Sequence, residues 1–207
     1  MTQYLIDEWE GVDTMQVAVA TVSGPLAIDV ETTGLDRFAD TIVGVIVASA
    51  DNEWYITIGD TLHSEDWPTV IQKLCLEGRT LIGHNVVFDM HFLARVGLNI
   101  DSITWWDTMQ MAHLWEDNLA ESGPARLLSL KTLGKMLLEY DMPSWEETFR
   151  NQPLEVQAEY AWRDGRVTYT LAKWLNVRLK NQGLWRYSTT RCAPLLPVVY
   201  RMEKAGL

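Results

Sequence analysis

Apolar positions divide the chain into two stretches of different rhythm. Up to about residue 58 they fall in short runs rich in β-branched residues. Tyr4-Leu5-Ile6 reads as a short strand, residues 12–22 as a helix, and Ser23-Gly24-Pro25 as the break after it. Leu26 to Val30 and Ile42 to Ala48 predict buried strands. Trp54 to Ile58 predicts a third, with Asp51-Asn52 as the hairpin turn before it. Three strands joined this way predict an antiparallel meander. Beyond them helix and strand alternate. A helix is expected over 66–77, a strand from Thr80 to Gly83, and a helix over 86–96 ending at Gly97. Ile103 to Trp106 is the next strand and 107–117 the next helix. Leu128 to Tyr140 carries leucines at helical spacing, and Pro153 suits the first residue of a long helix reaching about Asn181. A last helix covers most of 184–205, bent or interrupted by Pro194 and Pro197. Strands first and βα units afterwards predict an α/β domain with a mixed central sheet.

Composition narrows the class. With 207 residues, 47% of them hydrophobic, the chain suits one compact domain with a sizeable core. No run approaches the ~18–20 apolar residues that span a bilayer. The first ten residues are acidic and lack the basic start and apolar run of a signal peptide, so a soluble cytoplasmic protein without a membrane partner is expected. Cys75 and Cys192 match no zinc or redox spacing, and His63, His84, His91 and His113 form no HxxxH or HExxH pattern. A net charge of −11 argues against a broad electrostatic grip on duplex nucleic acid, while leaving room for a site that holds a few nucleotides. Ten tryptophans are scattered without a repeating motif, most as core or contact residues would be, with a minority left to stack on bases.

Three acidic segments carry the chemistry. In Ala27-Ile28-Asp29-Val30-Glu31-Thr32-Thr33-Gly34-Leu35, Asp29 and Glu31 are two apart on a strand and project to one face. Adjacent carboxylates repel unless a cation lies between them, and Mg²⁺ or Mn²⁺ prefers such oxygen ligands. Taken alone, the pair equally suits two solvated acids where a strand turns outward. In Gly83-His84-Asn85-Val86-Val87-Phe88-Asp89, Asn85 is expected to cap the helix start with its side chain. Asp89 falls on the stripe of Leu93 and Val96, the packed face. A charged acid there needs a partner, either a metal or a structural pair. In Tyr160-Ala161-Trp162-Arg163-Asp164, Tyr160 and Asp164 are helical neighbours, and their stripe continues through Thr168, Leu171 and Leu175. The competing reading is an ion pair of Asp164 with Arg163 or Arg166.

Taken in order, Asp29-x-Glu31, Asn85-x-x-x-Asp89 and Tyr160-x-x-x-Asp164 resemble the three Exo motifs of DEDD 3′–5′ exonucleases. The tyrosine resembles that of the DEDDy branch, whose fold is ribonuclease H-like. Trp106-Asp107-Thr108-Met109 and Ser129-Leu130-Lys131-Thr132-Leu133 are similar to segments of family A polymerase proofreading domains. Residues 197–207 look like the junction where that family's polymerase domain begins. The resemblance therefore implies an exonuclease domain over 1–190 and a polymerase junction over 191–207. It also suggests that the sequence is a shortened or processed piece.

The resemblance implies catalysis by Asp29, Glu31, Asp89, Tyr160 and Asp164. Two divalent ions, Mg²⁺ or Mn²⁺, would be held by the four acids. Asp29 is the expected bridging ligand, Glu31 and Asp164 complete the first ion's shell, and Asp89 reaches the second. Tyr160 orients the attacking water, since a phenol of ordinary pKa near ~10 is a poor base at neutral pH. Thr32, Leu35 and Asn85 are the expected substrate-binding residues, although Leu35 equally suits a core leucine after a turn. His84 reads as structural, and Asp107 as at most a support for the site. The implied partners are a single-stranded 3′ end of DNA and a polymerase domain, in cis or in trans. The alternatives are an RNA-processing exonuclease of the same superfamily, since nothing in the motifs reads a 2′-hydroxyl, and a non-catalytic docking module.

Overall fold

The computed structural model describes residues 1–59, 61–116, 125–142 and 152–207. Its centre is a six-stranded mixed sheet: β1 (Thr2–Ile6), β2 (Leu26–Thr32), β3 (Ile42–Ala48), β4 (Asn52–Thr57), β5 (Thr80–Gly83) and β6 (Thr104–Asp107). Their spatial order is β1-β4-β3-β2-β5-β6. The β2–β3–β4 meander is antiparallel as expected, with Asp29 opposite Ile46 and Glu31 opposite Gly44. β5 and β6 add in parallel beyond β2, and β1 pairs in parallel with β4. The turn before β4 is tied by Ser49, whose Oγ accepts from the backbone N–H of Asn52 at 3.0 Å. Asn52 therefore opens the strand and is not left in the turn.

Seven helices matter for the site: α1 (Trp9–Thr21), α2 (Trp67–Lys73), α3 (Val87–Arg95), α4 (Thr108–Trp115), α5 (Leu130–Leu138), α6 (Leu154–Asn181) and α7 (Leu196–Lys204). α1 begins earlier than expected, at Trp9. α2 is shorter than expected, because the chain turns left-handed at Cys75 (φ 49°). α4 starts after Asp107, and residue 117, its expected end, lies outside the described residues. Pro153 takes an extended ψ of 150° and stands just before α6, not as its first helical residue. The closing helical segment is interrupted as its prolines predict. A π turn at Ser188–Cys192 and a 3₁₀ turn at Ala193–Leu195 precede α7, which has Pro197 in its first turn.

The main core lies under α1, α2 and α3 on one face of the sheet and includes Leu196 and Tyr200 of α7. α6 covers the other face, with Leu171, Leu175 and Leu179 buried against Met111 of α4 and Leu133 of α5. Trp54, Trp67 and Trp105 are core residues, as the scattered tryptophans suggested. Among the described residues no helix is long and apolar enough to cross a membrane. Two helical layers on a mixed sheet leave the end of β2 between α3 and α6, and there the acids lie.

Candidate active site

β2 delivers Asp29 and Glu31 through its two-residue repeat. Glu31 is buried and Asp29 half-buried. α6 delivers Asp164 from the opposite layer, also buried, and ligand oxygens of Asp29, Glu31 and Asp164 all lie within 4.8 Å of one another. The predicted stripe holds: Thr168, Leu171 and Leu175, like Asp164, are buried on α6. Neither arginine neighbour pairs with Asp164. Arg163 Nε donates to Glu159 at 3.0 Å, and Arg166 makes a two-pronged contact with buried Glu53 of β4.

Asp89 reaches β2 by another route. β5 pairs with β2 only at Leu26 and Ala27, so β2 runs on beyond its neighbour. The N–H of Val30 finds its partner in Asp89 Oδ1, 3.1 Å away. Asp89 and Leu93 are buried on α3 as expected.

The expectation for Asn85 needs correction. Its side chain does not cap α3; the residue is exposed, with φ at 58°, a left-handed conformation that asparagine tolerates. The capping is done from a distance by Asp107. Its carboxylate accepts from the N–H groups of Asn85 and Val86, both at 3.0 Å, and from Met109 and Gln110 at the start of α4. One buried carboxylate thus fixes two helix starts, and the α3 start carries Asp89.

Burial sets the electrostatics. It pushes the Asp29 carboxyl up to about 7. Asp89 is raised well above the carboxylate range by burial and then by the charge of Asp29, against the lowering effect of the Val30 hydrogen bond. Asp164 is raised likewise, by burial and by Asp29, while a hydrogen bond with Tyr160 acts the other way. The Tyr160 hydroxyl is pushed far up by burial and by the charges of Asp164, Glu31 and Asp29. It is a neutral donor, fit to orient a neighbour and unfit to take a proton. His84 is held down at about 4 by burial, and its Nδ1 lies 2.8 Å from Thr108 Oγ1, the structural setting expected for it.

These residues fit a hard divalent cation. Asp164 Oδ1 is buried without a hydrogen-bond partner. An orphaned carboxylate oxygen beside two further carboxylates is costly unless a positive charge satisfies all three. The donors are all oxygen, which suits Mg²⁺ or Mn²⁺ better than zinc.

The end of β2 and the loop after it place Thr32 and Leu35. Thr32 Oγ1 donates to the Gly34 carbonyl at 2.6 Å. Leu35 is 85% exposed, so the core alternative for it falls. Two glycines escaped the sequence reading. Gly165, next to Asp164, packs on Ile46 and Ala48. Gly44, opposite Glu31, leaves the space taken by the ring of Tyr55, whose hydroxyl is raised partly by the charge of Glu31. A lone glycine in a helical or strand pattern was the available signal, marking close backbone approach.

Residues 7–180 match the family model described as 3′–5′ exonuclease, that of DNA polymerases of the A type. DNA polymerase I of Treponema pallidum is 30% identical over 132 residues, covering 63% of this chain and 13% of that protein. DNA polymerase I of Borreliella burgdorferi is 27% identical over 190 residues, covering 88% and 20%. The chain thus spans a fifth or less of these relatives. Among solved structures, Brucella melitensis NrnC with bound Mg²⁺ superposes with a TM-score of 0.69 at 19% identity, covering 100% of this chain and 95% of that one. The ribonuclease H-like fold expected from the motifs is the fold observed.

Proposed function

The chain belongs to the 3′–5′ exonuclease family of A-type DNA polymerases, and we propose that it removes nucleotides from the 3′ end of DNA by two-metal-ion hydrolysis. The observation that carries this reading is the orphaned Asp164 Oδ1 beside Asp29 and Glu31. Asp29, Glu31, Asp89 and Asp164 would hold the ions. When bound, divalent cations supply an activated water and neutralise charge gathering on the scissile phosphate.

The chain's own residues do the rest. Tyr160, neutral at working pH and hydrogen-bonded to Asp164, orients the water through its hydroxyl, which is the role of a DEDDy enzyme. Leu35, exposed on the loop after β2, offers an apolar surface to the terminal base, with Thr32 at the end of the strand that carries Asp29 and Glu31 and Asn85 exposed just before α3 as the other substrate-binding residues. Asp107 positions Asn85 and Asp89 through the backbone without touching substrate.

A net charge of −11 gives little general attraction for a phosphate backbone. We infer that a polymerase domain hands over a frayed 3′ strand of a few nucleotides. In that reading residues 1–190 are the nuclease unit, 191–207 lead toward the polymerase, and the setting is cytoplasmic.

The test is nucleotide release from 3′-labelled single-stranded DNA, and from an RNA of the same sequence, with Mg²⁺ or Mn²⁺ against EDTA. Metal-dependent release from DNA, lost in Asp29→Ala/Glu31→Ala, is expected. Faster release from the RNA would overturn the DNA assignment. No release with either metal would overturn the nuclease reading for this chain.

A further inference from the structure

The loop between β2 and β3 carries Leu35 and Phe38, 85% and 65% exposed, directly after the strand that carries Asp29 and Glu31. Its inside is tied by Asp40, whose carboxylate accepts from Thr33 Oγ1 and from the Asp36 N–H, both at 2.8 Å. Its outside is tied to two helices. Arg95 of α3 donates to the carbonyls of Arg37 and Asp40, at 3.0 and 2.6 Å. The Arg37 guanidinium, between Leu35 and Phe38 in sequence, pairs with Glu203 of α7, a residue 166 positions away.

Between them lies His91 of α3, 4% exposed. Its Nε2 is 3.1 Å from Arg37 Nη1 and 3.0 Å from Glu203 Oε2. One ring nitrogen accepts from the guanidinium or donates to the carboxylate, never both at once. Either arrangement keeps all three side chains together. Tyr200 of α7 and Phe38 of the loop both stand edge-on to the same imidazole, with centroids at 4.9 and 6.2 Å.

We propose that Arg37, His91 and Glu203 are positioning residues for the exonuclease reaction: they clamp the Leu35 loop to α7 and so set how the terminal nucleotide is held. This inference rests on the nuclease reading and adds to it that a C-terminal helix, distant in sequence, controls substrate placement. The Arg37–Glu203 pair is about a third exposed on each side. An ion pair of that exposure is worth no more than ~1 kcal/mol, which is about fivefold in an affinity.

The test is a charge swap read in two independent ways. Arg37→Glu, Glu203→Arg and the double reversal are compared for kcat and KM on single-stranded DNA, and for amide hydrogen exchange over residues 33–41, with melting temperature recorded for each. Each single reversal is expected to raise KM by about fivefold, with kcat within about twofold, and to speed exchange across the loop. The double reversal should restore both. Faster exchange with KM unchanged would overturn the proposal, as would a double reversal that restores melting temperature but not KM. Should the wild type release no nucleotides, the nuclease reading fails by itself. Exchange together with 3′-oligonucleotide affinity, measured with Ca²⁺, then decides the clamp: unchanged affinity in the singles overturns it.

Discussion

Gly165 of α6 lies against Ile46 of β3 so closely that a Cβ at position 165 would stand 2.7 Å from Ile46 Cγ2 and 3.2 Å from Ala48 Cβ. Ile46 is the partner of Asp29 across the β2–β3 ladder, and Gly165 follows Asp164 in the helix. The missing side chain is therefore what lets the helix descend onto the sheet where the two carboxylates meet.

Gly165→Ala should push α6 away from β3 and loosen the acid cluster. Ile46 and Ala48 are fully buried, so neither can swing aside. Overpacking of this kind costs roughly 1–3 kcal/mol. Chemical denaturation should show the loss, and metal affinity should fall with it. An unchanged Mn²⁺ affinity would mean that the close approach does not set the acid spacing.

Asp164→Asn should raise the melting temperature in EDTA while abolishing both nucleotide release and the stabilisation given by metal. At alkaline pH, where Asp164 ionises in the metal-free fold, the substitution removes a buried charge that repels Asp29 and has an oxygen without a partner. Function here is bought with stability, by roughly 1–2 kcal/mol for such a site. A lower melting temperature in EDTA would show that the carboxylate has a favourable partner without metal.

Stability without metal should fall as pH rises. Burial raises Asp29 from its ordinary 3.8 to about 7, and Asp89 and Asp164 are also raised. The folded chain then keeps protons that the unfolded chain has already released. The contribution is complete below the ordinary carboxyl pKa and is lost as pH climbs through the folded values. Melting in EDTA should therefore be higher near about pH 5 than near about pH 8, while Mg²⁺ or Mn²⁺ gives its largest upward shift at the alkaline end. A metal-induced shift that is the same at both pH values would contradict these raised carboxyls.

Asp107→Ala should cost roughly 2–3 kcal/mol, because four backbone N–H groups at two helix starts lose their acceptor. Activity should fall further than stability explains, since Asn85 lies just before α3 and Asp89 in its first turn. Urea melts and kcat measured well below the melting temperature separate the two effects.

Much of the site was legible in the sequence because it is written in short periods. A strand repeats every two residues, which put Asp29 and Glu31 together. A helix returns every three to four, which put Tyr160 beside Asp164 and Asp89 on the stripe of Leu93. The meander, the βα units and the proline interruption before α7 follow from the same local rules. Only tertiary structure decided how these faces meet. Asn85 had the right residue type for a cap, yet the acceptor came from Asp107, 22 residues on. Arg163 and Arg166 looked available to Asp164, yet one turned to Glu159 and the other crossed to Glu53 on β4. Gly165 and Gly44 showed only as lone glycines in regular patterns, without naming what approaches them, and the Arg37–Glu203 pair left no short-range signature. Their roles depend on a partner far along the chain, and periodicity reports which face a residue occupies but not what that face will touch.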